Sequence, residues 1–181
     1  MEDALARIAA TVAGEFSDLP DLEQLTRVVL RIGVAVLLGA MIGYERELRQ
    51  SSAGLRTHML VALGAALFVL VPQQGGISDA DMSRVLQGVI AGVGFLGAGA
   101  VLKRDDKDEI RGLTTAASIW VTAAIGIAVG LGREATAVLG TLVVLIILTV
   151  LRRFNRRLAA SAAERGEADA AAGRPGRDVG G

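Results

Sequence analysis

Cysteine is absent from the chain, and histidine occurs once, at His58. The absence of cysteine excludes disulfides, thiolate chemistry and thiolate metal sites, and a single histidine excludes clustered imidazole ligands. The chain also lacks a phosphate-binding Gly-x-x-x-x-Gly-Lys-Ser/Thr loop, so it does not drive itself with ATP. We therefore predict no enzymatic activity, no catalytic residue, no metal site and no cofactor.

Net charge is also absent, because 19 basic residues balance 19 acidic ones. No overall electrostatic field points to nucleic acid, and we predict no nucleic-acid partner. The long apolar stretches carry no acidic residue between their ends. This argues against a proton-coupled carrier or a cation channel, which place carboxylates or unwound carbonyls at the middle of the membrane.

What the sequence does contain is apolar residues, which make up 52% of its 181 positions. Its mean hydropathy of +0.50 is too high for an ordinary soluble domain. Since a helix needs roughly 20 apolar residues to cross a bilayer, the pattern predicts an all-α membrane protein with five transmembrane helices. The predicted spans are about 25–44, 53–71, 85–102, 113–131 and 135–151.

The chain is predicted to divide into three segments. Residues 1–20 form an extracytoplasmic segment, either a frayed terminus or an amphipathic helix with Leu5, Ile8, Val12 and Phe16 on one face. Residues 21–158 form the membrane domain, and 159–181 form a disordered cytoplasmic tail without an apolar face. Basic residues concentrate in the first and third connectors and after span five, so the positive-inside rule predicts an external N-terminus and a cytoplasmic C-terminus.

The sequence contains an internal similarity. Gly54-Leu55 and Thr57 recur 58 positions later as Gly112-Leu113 and Thr115. We interpret this as two parallel-repeat hairpins, spans 1–2 and 3–4, although chance matches within an Ala, Gly and Leu alphabet are the alternative.

Glycine is dense in the spans, above all in span three, which we expect to be the central packing helix. Small residues let helix backbones approach closely in lipid, and exposed small-residue faces also make a homodimer plausible. The predicted helix-packing positions are Gly39, Gly43, Gly92, Gly94, Gly97 and Gly99.

The first connector combines two carboxylates, three arginines and the single histidine. Arg56 and His58 lie at the end of span two, where a cation needs a carboxylate or must reach toward water, and Glu45 and Glu47 are the nearest carboxylates. We favour an ion-paired network with a structural role over an ordinary interfacial basic belt. In the other hairpin, Arg111 enters span four, and Thr114 and Thr115 can bond to the backbone or to the facing hairpin. The candidate functional residues are Glu45, Arg46, Glu47, Arg56, Thr57, His58, Arg111, Thr114 and Thr115.

Two further features have a less specific interpretation. The four acidic residues within 103–111 could attract Mg²⁺, but four neighbouring cations cancel them, and a solvated tip is the better interpretation. Arg31 lies inside span one, and we expect it to reach outward toward water rather than pair with Glu134 or Asp81.

Four motifs in order resemble the MgtC/SapB family of bacterial inner-membrane proteins. They are Gly43-Tyr44-Glu45-Arg46-Glu47, the run from Ala53 to His58, the run from Gly92 to Gly99, and the run from Arg111 to Trp120. The resemblance implies a five-span protein. Some members carry a folded cytoplasmic domain after the fifth span, whereas this chain is predicted to have a disordered tail there, which favours the short form of the family. The resemblance also implies a link to magnesium homeostasis and growth at low Mg²⁺, with a membrane partner such as the ATP synthase.

Three functions are compatible with this pattern. The first is a non-enzymatic regulator in the lipid bilayer that acts through another membrane protein. The second is a small transporter whose path runs between the hairpins past Thr57, His58, Thr114 and Thr115. The third is a purely structural scaffold.

Overall fold

A computed structural model describes residues 2–18, 21–104 and 109–151. Helices dominate these residues, so the prediction of an all-α membrane protein is confirmed. The elements are α1 (Glu2–Glu15), α2 (Leu22–Leu48), α3 (Leu55–Gln74), α4 (Asp79–Gly99), β1 (Leu102–Arg104), β2 (Glu109–Arg111), α5 (Leu113–Gly130) and α6 (Glu134–Ile146), followed by a π-helix (Ile147–Leu151).

Four helices, α2 to α5, are long and apolar enough to cross a membrane, and a shorter apolar helix runs over Glu134–Val150. Their ends lie within about four residues of the five predicted spans, except that α4 begins at Asp79 rather than near residue 85. The match is expected because the thickness of the bilayer sets the length of an apolar span. Span two was predicted to end near residue 71, but α3 continues through Pro72 to Gln74. Membrane helices tolerate proline where neighbouring groups satisfy the freed backbone.

The chain divides into two compact units, residues 1–141 and 142–181. In the second unit the structure describes the last turns of α6 and the π-helix, where Thr149 Oγ1 donates to the carbonyl of Leu145 at 2.6 Å. The predicted tail, 159–181, lies outside the described residues, as does the acidic connector segment 105–108.

The first unit is built from two helical hairpins. In the first hairpin α2 packs on α3, and in the second α4 packs on α5. The connector between α4 and α5 contains β1 and β2, which pair antiparallel with Leu102 opposite Arg111. Across the hairpins α3 packs on α5, while α2 also contacts α5 and α4 also contacts α3. This pattern is the one expected of two hairpins related by an axis near the membrane normal.

The two hairpins meet at glycines spaced four residues apart. A Cβ added at Gly126 would overlap the carbonyl oxygen of Ala62, and one at Gly130 would lie 2.7 Å from that of Ala66. Backbones of α3 and α5 are therefore in direct contact, as small-xxx-small faces permit in lipid. The expectation that span three is the central helix is wrong, because half of the apolar window of α5 is buried and only 11% of that of α4.

The predicted packing glycines fall into two groups. A Cβ at Gly39 would lie 2.7 Å from the carbonyl oxygen of His58, and one at Gly43 would lie 2.7 Å from Leu55 Cα. Both glycines therefore allow α3 to pack closely against α2. A Cβ at Gly97 would lie 3.6 Å from the Cβ of Ala116 on α5, an ordinary van der Waals contact. The other three glycines are exposed and have no described atom near a Cβ, so they do not pack within this part of the chain; they are Gly92, Gly94 and Gly99. Contacts of these three with another molecule stay a prediction.

The N-terminal segment forms a helix, α1, and residues 3–18 are all exposed. The apolar residues Leu5, Ile8, Val12 and Phe16 are among the exposed ones. They recur every three or four positions, which is the spacing of an amphipathic helix. Its place on the outer membrane surface stays a prediction.

Arg31 ties together the ends of three helices opposite the charged connectors. Its Nη1 donates to Gln73 Oε1 at 2.7 Å and to the carbonyl of Gly130 at 2.9 Å, and its Nε lies 3.6 Å from Glu134 Oε1. The side chain is only 15% exposed, so the expectation that it reaches outward is wrong. The reason is that carbonyls at a helix end and a nearby carboxylate compensate the cation where it lies.

Arg31→Met is expected to lower the free energy of unfolding by about 2 kcal/mol, since hydrogen bonds made by charged groups contribute ~1.5–3 kcal/mol. The matched control is Arg27→Met on the same helix, whose exposed i,i+4 pair with Glu23 is worth less than ~0.5 kcal/mol. Thermal unfolding in detergent, followed through Trp120, the single tryptophan, measures both. Equal losses in the two variants would contradict the bridging role of Arg31.

Candidate functional site

The candidate site lies at the connector end, which we define as the end of the first unit where α2 is joined to α3 and α4 to α5. In each hairpin a glycine immediately precedes the second helix. Gly54 precedes α3, and Gly112 precedes α5 with a φ of 97°, a left-handed conformation that favours glycine. Neither glycine can cap a helix with a side chain, so the first amides of α3 and α5 need other partners.

Glu47 supplies that partner for α3. Its Oε2 accepts a hydrogen bond from the backbone N–H of Leu55 at 2.7 Å. A carboxylate at a helix N-terminus satisfies a free donor and also interacts favourably with the helix dipole. Glu47 therefore joins the last turn of α2 to the first turn of α3.

A chain of hydrogen bonds, here called the polar network, connects α2, α3 and α5. Arg46 Nη2 donates to Ser51 Oγ at 3.0 Å and to Thr115 Oγ1 at 3.3 Å, and the two hydroxyls lie 2.9 Å apart. Ser118 Oγ donates to the carbonyl of Thr115 at 2.8 Å and lies 3.1 Å from His58 Nε2. The network thus consists of Arg46, Ser51, His58, Thr115 and Ser118.

His58 is fully buried at the α3 end of the polar network. Its Nδ1 lies 2.8 Å from the carbonyl oxygen of Gly54, which can only accept, so Nδ1 carries a hydrogen. Its Nε2 faces the Ser118 hydroxyl. Ser118 has one hydroxyl hydrogen, which can go either to Nε2 or to the Thr115 carbonyl, and the contact between Nε2 and Ser118 links α3 to α5.

Glu45 is buried beside the polar network, with 7% of its surface exposed. Its Oε1 accepts from Arg49 Nε at 3.0 Å, one helical turn later. Its Oε2 has no hydrogen-bond partner among the described residues. This ion pair is therefore only partly compensated, which makes Glu45 sensitive to substitution.

The structure brings five of the predicted candidates together and separates the others. Arg46, His58 and Thr115 belong to the polar network, and Glu45 and Glu47 flank Arg46 on α2 with partners of their own. The expectation that Glu45 and Glu47 compensate Arg56 is wrong, because Arg49 and the Leu55 amide take those carboxylates.

The remaining candidates lie elsewhere at the connector end. Arg56 and Thr114 are exposed, and Thr57 is half-buried. Arg111 lies in β2, where its backbone is opposite Leu102. Arg56, Thr57 and Thr114 have no hydrogen bond to the polar network among the described residues.

Sequence reasoning missed two members, Ser51 and Ser118. Ser118 had a detectable signal, since Thr115, Ser118 and Thr122 follow one another at spacings of three and four on one helix face. Ser51 had none, because its partner lies 64 positions away on another hairpin. Within 2–18, 21–104 and 109–151 no three His, Asp or Glu side chains gather as metal ligands.

Comparison with known proteins matches residues 32–157 to the model of the MgtC family. The chain is 46% identical to "Protein SrpB" of Synechococcus elongatus over 137 residues, covering 70% of this chain and 75% of that protein. It is 41% identical to "Putative magnesium transporter YhiD" of Escherichia coli K12, covering 72% of this chain and 63% of that protein. It is also 41% identical to "Protein MgtC" of Salmonella typhimurium, covering 72% of this chain and 54% of that protein.

No solved structure matches the chain significantly. The chain spans about two thirds of YhiD and about half of MgtC. The family model nevertheless covers α2 from residue 32 onward, the four later spans, both charged connectors and every residue of the polar network. A match over more than half of the chain, together with relatives above 40% identity, establishes that this multi-pass membrane protein belongs to the MgtC family.

Proposed function

We propose that the chain is a non-enzymatic regulator that acts through another membrane protein, rather than a carrier of ions. The observation that supports this most is the closed interface between the hairpins. Gly126 and Gly130 bring the backbone of α5 against the carbonyls of Ala62 and Ala66, which leaves no passage between α3 and α5. A packed interface of this kind suits a rigid module that presents a surface.

The surface proposed for the partner lies on α2 at the connector end. Tyr44 and Leu48 are one helical turn apart and are 60% and 63% exposed. The polar network holds the same turn of α2 through Arg46, so this exposed pair has a fixed position. A preorganised aromatic and aliphatic pair is a typical anchor of a protein interface, because little conformational freedom is lost on binding.

The partner and setting are inferred from the family. The family supports a link to magnesium homeostasis, and we propose a setting in the bacterial inner membrane with a complex such as the ATP synthase as the partner. The basic residues of the connectors support a cytoplasmic connector end and an external N-terminus.

Affinity capture from gently solubilised membranes tests this proposal. In the double variant Tyr44→Ala, Leu48→Ala, capture of a reproducible membrane partner is expected to fall by at least about nine tenths. Two side chains that become buried in the complex contribute about 2 kcal/mol or more to binding. The control is Leu22→Ala at the opposite end of α2, where the side chain is 77% exposed. Undiminished capture by the double variant, or equal loss in the control, would contradict this surface.

Transport is the second candidate, because the name of YhiD proposes magnesium transport. The path predicted from sequence is not supported by the placement of its four residues. His58 and Thr115 are buried in the polar network, Thr114 is exposed, and Thr57 lies on a groove between α3 and α4. Proteoliposomes loaded with a Mg²⁺ indicator decide between the candidates, since Mg²⁺ influx that requires the wild-type chain would favour transport.

A further inference from the structure

An open apolar groove runs between α3 and α4 and has a volume of about 690 Å³. It exists because small residues form both walls, Gly64 and Ala65 on α3 and Gly88 and Gly92 on α4. A Cβ at Gly64, Gly88 or Gly92 would meet no described atom within 4 Å. The groove therefore has room for part of another molecule.

Arg56 lies at one end of this groove, and Phe68 lies toward the other. The two are twelve positions apart on α3, which corresponds to about 18 Å at ~1.5 Å per residue. Half of a hydrocarbon core of ~30 Å is about 15 Å. The groove is thus about as long as one leaflet is deep, and Arg56, in the first turn of α3, would lie at the headgroup level of a bilayer spanned by that helix.

Arg56 is exposed and has no hydrogen bond or ion pair among the described residues. Beside it Thr57 also lines the groove and carries a hydroxyl. A guanidinium and a hydroxyl above an apolar groove are complementary to a phosphodiester above an acyl chain, because arginine binds phosphate oxygens in a bidentate manner.

We propose that this groove binds an anionic phospholipid, with one acyl chain between α3 and α4 and the phosphate on Arg56. In the predicted orientation the site opens to the cytoplasmic leaflet, where anionic lipids concentrate. The site goes beyond the proposed regulatory function and does not depend on it, because it uses α3 and α4 rather than the Tyr44 and Leu48 surface of α2.

A second copy of the chain fits the groove less well. A helix from another copy would need a carboxylate to compensate Arg56 at this level. The carboxylates of the described spans at this end are Glu45, which is buried beside Arg49, and Glu47, which accepts from the Leu55 amide. A phospholipid brings its own anion at the correct depth.

Native mass spectrometry of the delipidated protein tests the site, with phosphatidylglycerol and phosphatidylcholine of identical acyl chains as probes. We expect the wild type to retain phosphatidylglycerol about fivefold better than phosphatidylcholine, which corresponds to about 1 kcal/mol for one cation at an anionic headgroup. Arg56→Gln is expected to remove that preference, whereas the exposed Arg133→Gln at the other end of the spans is expected to keep it.

The apolar part of the site has its own variants. Gly88→Leu together with Gly92→Leu fills the groove and is expected to reduce retention of both lipids by at least about threefold, since each buried CH₂ contributes ~0.8 kcal/mol. Gly94→Leu on the same helix also meets open space but does not line the groove, so it is the matched control. Equal retention of the two lipids by the wild type, or an unchanged preference in Arg56→Gln, would overturn the proposal. A dimer mass that is lost in the filled variant while lipid retention persists would assign the groove to a second copy and overturn it as well.

Discussion

Gly126→Ala is expected to prevent stable packing of the two hairpins. The added Cβ would overlap the backbone carbonyl oxygen of Ala62, and it would lie close to the Ala62 carbonyl carbon and Cα, at 3.0 Å. No side chain can rotate away to make room, so α3 and α5 must separate along their contact. We expect a loss of about 3 kcal/mol or more in the free energy of unfolding, the upper end of what overpacking costs.

Gly94→Ala on α4 is the matched control for this substitution. It is also a glycine within a helix, but a Cβ there meets no described atom within 4 Å. It should therefore be neutral or stabilising by up to ~1 kcal/mol, because alanine has the higher helix propensity. Thermal unfolding followed by Trp120 fluorescence separates the two variants. A Gly126→Ala protein as stable as the wild type would show that the hairpins are not in backbone contact, and it would reopen a path between them.

The transmembrane helices were predictable because one physical requirement, the thickness of the bilayer, sets both their length and their composition. Which helix lies at the centre was not predictable from glycine content. Span three has the most conspicuous glycines, yet a Cβ at Gly92, Gly94 or Gly99 would meet no described atom within 4 Å, whereas Gly126 and Gly130 meet α3 directly. Glycine permits a close approach, but the facing surface decides whether one occurs.

The charged connector was recognisable as a candidate site, but its pairing was not. Arg46 rather than Arg56 joins the polar network, because Arg46 follows Gly39 and Gly43 on the face of α2 that α3 and α5 cover. This face could have been read from the helical period, since spacings of four and three keep residues on one side. The bond between Ser51 and Thr115 could not, because it depends on how two hairpins dock.

The duplicated phrase also hides an asymmetry between its two glycines. Gly54 and Gly112 occupy equivalent positions before α3 and α5, but Gly54 has a φ of −109° and Gly112 a φ of 97°. A Cβ at Gly54 would meet the Glu47 carboxylate at 2.6 Å, which is the end of a flexible side chain. At Gly112 it would overlap the backbone carbonyl oxygen of Ala100. The same phrase therefore serves two different turns.

Gly112→Ala is accordingly expected to be far more damaging than Gly54→Ala. A left-handed conformation costs a non-glycine residue about 1–2 kcal/mol. The clash with Ala100 raises the expected total to about 3 kcal/mol or more, within the range of severe single substitutions. Gly54→Ala displaces Glu47 from the Leu55 amide and should cost about 1 kcal/mol, the contribution of one hydrogen bond.

Unfolding of the two variants in the same detergent measures this difference directly. Gly112→Ala should also disturb the polar network, because Thr115 and Ser118 lie in the first two turns of the helix that Gly112 begins. Cross-linking between cysteines introduced at Ser51 and Thr115, whose oxygens are 2.9 Å apart, reports on that geometry. We expect efficient cross-linking in the Gly54→Ala background and little in the Gly112→Ala background. Equal stability and equal cross-linking would mean that the two connectors are interchangeable, and the duplication would then extend to the turns as well as the helices.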